Sequence, residues 1–82
     1  MPPKLKRISG SELIKIFSIF SFFPLKQEGS HVKLRRLSPE GHKQTLTIPL
    51  HDELDRGTLR AIMRQASKYI PEEKLFPHFY TE

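Results

Sequence analysis

The chain has 82 residues, no cysteine and a formal charge of +5. That length allows one small domain, and the missing cysteines exclude a disulfide scaffold, a thiolate zinc site and a cysteine nucleophile. With 37% hydrophobic and 28% charged residues, it has the make-up of a folded domain with one thin core rather than a disordered tail.

Residues 1–8 read as a frayed basic lead-in. Ser9-Gly10-Ser11-Glu12 has the form of a capping box, in which the serine oxygen and the glutamate carboxylate each take a free backbone amide. Leu13, Ile16, Phe17 and Phe20 follow at helical spacing and predict a helix over Gly10 to Phe20. The apolar run Ile14 to Phe23 is interrupted by Lys15, Ser18 and Ser21 and falls short of the ~20 residues a membrane span needs. No small-residue cleavage site follows it, so the expectation is a cytoplasmic protein with no membrane partner. The aromatics Phe17, Phe20, Phe22 and Phe23 are assigned to the core. Phe22 to Gln27 reads as a strand that Pro24 confines to a sheet edge. Ser30 to Leu37 is a second strand, Ser38-Pro39-Glu40-Gly41 a turn, and His42 to Ile48 a third strand ended by Pro49.

The last helix is the most strongly patterned. Leu59, Ile62, Met63, Ala66 and Ile70 form an apolar stripe, Asp55 is placed to cap it, and Pro71 is expected to stop it near Ile70. Arg56, Arg60, Arg64 and Lys68 form a basic band on another side. The tail, with Phe76, Phe79 and Tyr80, is expected to pack back as a short C-terminal extension. The chain is thus one domain over 1–82, with a core over about 9–70 and a tail over 71–82. Its fold class is α+β: a three-stranded antiparallel sheet with both helices on one face, in the order α-β-β-β-α.

Strand alternation assigns the faces. Val32 and Leu34 should point inward opposite Leu46 and Ile48, which sends His31, Lys33 and Arg35 outward near Lys43, Thr45 and Thr47. An open face with one histidine and several bases suits a polyanion. The charge distribution agrees, because residues 1–68 hold all but one of the 14 Lys and Arg residues, while residues 69–82 carry three acids.

Two segments carry a more specific signal: Lys26-Gln27-Glu28-Gly29-Ser30-His31, and Ile48-Pro49-Leu50-His51 followed by Gly57-Thr58-Leu59-Arg60-Ala61-Ile62-Met63-Arg64-Gln65-Ala66. Their order and spacing resemble the HicA family of bacterial toxins over about Ser9 to Ile70. The resemblance implies a double-stranded-RNA-binding-like fold. It also implies metal-independent endoribonuclease activity on messenger RNA, with no cofactor and with His31 catalytic. It further implies a HicB-type antitoxin partner and is compatible with a higher-order toxin–antitoxin complex. Three positions depart from the family pattern. Ser21 and Ser67 stand where glycine is common, and Glu28 stands where a base is frequent, which weakens the local positive field.

The chemistry of the residues is compatible with this resemblance. RNA carries its own nucleophile, the 2′-hydroxyl, so cleavage requires proton transfer and charge stabilisation. Imidazole suits the first, as base or as acid, and Lys or Arg the second. His31 takes the proton-transfer role. Lys33, Arg35 and Lys43 are candidate phosphate holders, with Gly29 and Ser30 as the supporting turn. Arg56 and Arg60 beside the helix start are further candidates. His51 is either a structural residue of its loop or a second acid–base group. His42 and His78 read as surface residues, and the four histidines lack metal-ligand spacing. Arg64 and Lys68 suit the acids of an antitoxin. Two other function classes use the same basic face: a non-catalytic RNA-binding module with a double-stranded-RNA-binding-like fold, and an interaction domain for an acidic protein.

Overall fold

The computed structural model describes residues 2–81. The chain runs β1 (Lys4–Leu5), α1 (Gly10–Ile19), β2 (Phe23–Glu28), β3 (His31–Leu37), β4 (Lys43–Pro49), α2 (Arg56–Ala66), α3 (Glu72–Phe79) and β5 (Tyr80–Thr81). The central sheet is antiparallel in the order β2-β3-β4, and β1 pairs with β5 in a separate two-stranded ribbon. The α+β class and the α-β-β-β-α layout expected from the sequence are both present.

Helix α1 begins where the capping box predicts. The Ser9 hydroxyl accepts from the Glu12 amide at 3.1 Å, and the Glu12 carboxylate accepts from the Ser9 amide at 2.9 Å. These bonds, the Ser9 backbone amide first, hold the Glu12 carboxyl below its ordinary pKa. The helix ends at Ile19 with Phe20 as its C-cap, and Ser21 itself adopts the left-handed conformation, with φ 68. The Ser21 amide then bonds the Ser18 carbonyl and the Phe22 amide the Phe17 carbonyl, closing the last turn by a double hydrogen bond. Phe22 packs edge-on against Phe17, with ring centroids 6.2 Å apart. Serine thus fills the position that usually falls to glycine, at a steric cost of roughly 1 kcal/mol.

The alternation in β3 and β4 holds along both strands. Val32 faces Ile48, Leu34 faces Leu46, and all four are buried. They meet Leu13 and Phe17 of α1, Leu59, Ile62, Met63 and Ala66 of α2, and Leu75 and Phe79 of α3 in one core. All three helices therefore feed the same side of the sheet, and the other side is open. Strand β2 is an edge, as Pro24 requires, and its register with β3 shifts between Pro24 and Lys26.

Three expectations are corrected and a fourth is refined. Residues 1–8 are not a frayed lead-in: Lys4 and Leu5 pair with Thr81 and Tyr80, and Ile8 is buried. The tail packs back as expected, with Phe79 in the core beside Phe17, but Glu72–Phe79 does so as a helix, which the sequence pattern does not indicate. Helix α2 ends at Ala66, not near Ile70. The Tyr69 and Ile70 amides both return to the Ala66 carbonyl, and this turn drops Ile70 into the core. Phe23 is not core. It lies on the open face across from Arg35 and is 56% exposed, because the tight end of α1 sends Phe22 inward and its neighbour outward. Among the described residues, no helix is long and apolar enough to cross a membrane.

Candidate active site

The β2–β3 hairpin delivers His31. Only Gly29 and Ser30 join the two strands, and Gly29 at φ 56 supplies the positive φ that a two-residue hairpin demands. So short a connection sets Glu28 and His31 opposite each other on one face. The Ser30 carbonyl accepts the Leu50 amide at 2.6 Å, tying the turn to the chain that leaves β4, where Pro49 is His31's register partner. The imidazole is exposed on the uncovered side of the sheet.

Two clefts meet at this residue. One, of about 190 Å³, is lined by Lys26, Glu28, His31, Lys33 and Thr47 on the open sheet face. The other, of about 470 Å³, runs from His31, Thr47 and Pro49 across the β4 edge to α2, where Thr58, Ala61 and Gln65 line it with Arg64 and Lys68. His31 and Thr47 belong to both. Positive side chains therefore stand at either end of a trough with an imidazole at its middle. The one acid among the described residues that line it, Glu28, is held by Lys26 at 3.0 Å in an exposed ion pair.

The residues singled out in the sequence are distributed unequally around this trough. His31 and Lys33 line it, with Gly29 and Ser30 forming the turn at its end. Arg35 lies on the same face two residues along from Lys33, across from Phe23 and Thr45. Its Nε is buried with no hydrogen-bond partner among the described residues. Lys43 shares the face but pairs with Leu37, about 20 Å along the strand direction from the His31 row. Arg56 and Arg60 line neither cleft. At the start of α2 the Asp55 carboxylate already accepts the Thr58 amide at 2.7 Å, so that amide is not free for a phosphate. The side chain and then the backbone amide of Thr58 hold the Asp55 carboxyl below its ordinary pKa. His51 is exposed and lines neither cleft, and its carbonyl accepts the Gly10 amide. His42 is exposed, and His78 packs edge-on against Phe20.

Sequence reasoning named Arg64 and Lys68 for an antitoxin but did not set the α2 bank in one trough with His31. Thr58, Ala61, Gln65 and Lys68 recur at steps of three and four, a second stripe of small and polar residues beside the buried one, and that spacing was the available signal. It also missed Arg36. This residue lies on the covered side and is fully engaged. Its guanidinium donates to Gln44 at 2.8 Å and to the carbonyls of Phe20 and Tyr69 at 3.1 and 2.9 Å, and lies 4.6 Å from the Phe22 ring centroid. Among the described residues no three His, Asp or Glu side chains cluster as metal ligands would.

A protein-family model described as HicA toxin of bacterial toxin-antitoxin matches residues 10–67. No curated protein and no solved structure shows a significant match to the chain.

Proposed function

The chain belongs to the HicA toxin family of bacterial toxin–antitoxin systems, and from this premise we propose that it is a metal-independent endoribonuclease acting on messenger RNA, with His31 as a proton-transfer residue. The reading is carried by one observation: an exposed imidazole at the junction of two clefts whose rims hold Lys26 and Lys33 on one side and Arg64 and Lys68 on the other. Such a trough suits a phosphodiester chain, whose charge it meets on both sides of the reacting group. The 2′-hydroxyl attacks its own phosphorus, so the protein's task is to move protons and to steady the extra negative charge on the phosphorane. Lys33, with Arg64 and Lys68, serves the second need, and Arg35 extends the positive surface along the strand. A HicB-type antitoxin silences the enzyme by covering this face, which the sheet leaves open.

The test is cleavage of a messenger transcript by purified protein in EDTA. Wild type cuts, and His31→Ala loses at least a hundredfold in rate while keeping its circular dichroism and urea midpoint. RNA left intact by the wild type, or cut equally by the alanine variant, rejects the proposal. If wild type and His31→Ala bind RNA equally and neither cuts, the protein is a non-catalytic RNA-binding module.

A further inference from the structure

We infer that Glu28 is the second proton-transfer residue, acting as general base while His31 acts as general acid. The inference rests on the reading of His31 given above and adds the partner that the reaction demands. Cleavage through the 2′-hydroxyl needs two proton movements: one proton leaves the 2′-oxygen, and one reaches the departing 5′-oxygen. A single imidazole handles both only by turning over within one event, whereas two groups on one face divide the work.

Among the described residues that line the two clefts, Glu28 supplies the carboxylate and His31 the imidazole, the two side-chain types that carry most general acid–base catalysis. The other charged groups there are Lys26, Lys33, Arg64 and Lys68, which suit phosphate rather than proton transfer. Backbone geometry places the pair together. Glu28 and His31 flank a two-residue turn and are direct register partners, an arrangement that sets Cβ atoms about 5 Å apart on the same face. Both line the smaller cleft, alongside Lys33 and Thr47. Lys26 lies 3.0 Å from the Glu28 carboxylate, an ion pair on the rim of the same cleft.

The step balances as follows. The Glu28 carboxylate takes the 2′-hydroxyl proton as the 2′-oxygen forms its bond to phosphorus. The bond from phosphorus to the 5′-oxygen breaks, and the His31 imidazolium gives its proton to that oxygen. The products are a 2′,3′-cyclic phosphate and a 5′-hydroxyl, with Glu28 protonated and His31 neutral until solvent restores both.

The competing role for Glu28 is purely electrostatic: an acid in a cationic trough that repels RNA. The two roles differ in sign. We expect Glu28→Gln to lower kcat about a hundredfold near neutral pH. Its affinity for an oligoribonucleotide blocked by a single 2′-deoxy substitution should stay the same or tighten. The acid limb of the kcat–pH profile, where the base is protonated, should disappear, and Glu28→Asp should recover part of the rate. A Glu28→Gln variant that cuts as fast as wild type, or faster, overturns the inference while leaving His31 in place. Wild type that fails to cut, or His31→Ala that cuts normally, overturns the underlying ribonuclease reading and this inference with it. A fall in kcat with an unchanged pH profile assigns Glu28 a role other than base and also overturns it.

Discussion

Arg35 and Arg36 are neighbours in the chain and opposites in the fold. Arg36 faces the covered side of the sheet, where three acceptors and an aromatic ring take up its guanidinium. Arg35 faces the open side and has no hydrogen-bond partner for its Nε among the described residues. The same contrast runs along the whole sheet. On the covered side Val32, Leu34, Leu46 and Ile48 are buried among three helices, while on the open side His31, Lys33 and Thr47 stand exposed. The basic excess of this chain is therefore not one quantity. Part of it joins the end of one helix to the turn after another, and part stands on the open face. Side-chain parity within β3 decides which is which.

That division can be broken experimentally, beginning where the effect is largest. Leu34→Ala on the covered side should cost about 3 kcal/mol in urea unfolding, because it removes a fully buried side chain from a thin core. Lys33→Ala, one residue away on the open side, should change stability by less than about 0.5 kcal/mol. It should instead weaken RNA binding and lower the slope of log affinity against log salt by about 0.7. Equal stability losses at the two positions would contradict the assigned parity. A smaller contrast separates the two arginines. Arg36→Met should cost about 2 kcal/mol by leaving the Phe20 and Tyr69 carbonyls without their charged donor. Arg35→Met should leave the urea midpoint nearly unchanged and reduce RNA affinity. The smallest expected effect sharpens the account of the covered side. Ser21→Gly should raise stability by about 0.5–1 kcal/mol, since φ 68 is free for glycine and strained for serine. A loss there would mean that the serine side chain contributes more than its backbone strain costs.

Much of this was legible in the chain. The capping box, the polar and apolar alternation of β3 and β4, the proline that confines β2 to an edge and the apolar stripe of α2 are local patterns. Each states its own period or its own hydrogen bond, and each appears in the fold. The exposed place of His31 followed from the same alternation. The residues that share its trough did not. Arg64 and Lys68 reach the site because α2 packs along the β4 edge, and no spacing within α2 states where that helix docks. In the sequence Glu28 only weakens the positive field, and it takes the two-residue turn to set it opposite the imidazole. The tail was harder still. Residues 72–79 carry Pro77, which argues against a helix interior, and they form a helix because Leu75 and Phe79 complete the core.

The sequence by itself determined the order of the five central elements, the face on which His31 stands and the family to which the chain belongs. These depend on periodicity, capping and motif spacing, which act over a few residues. Only the tertiary structure decided that the two ends of the chain clasp each other, with the Lys6 ammonium on the Pro77 carbonyl and β1 beside β5. It also decided that Arg36 belongs to the scaffold and that α2 supplies one bank of the trough. Those outcomes depend on contacts between segments far apart in the chain, whose free energy exists only once the core has formed.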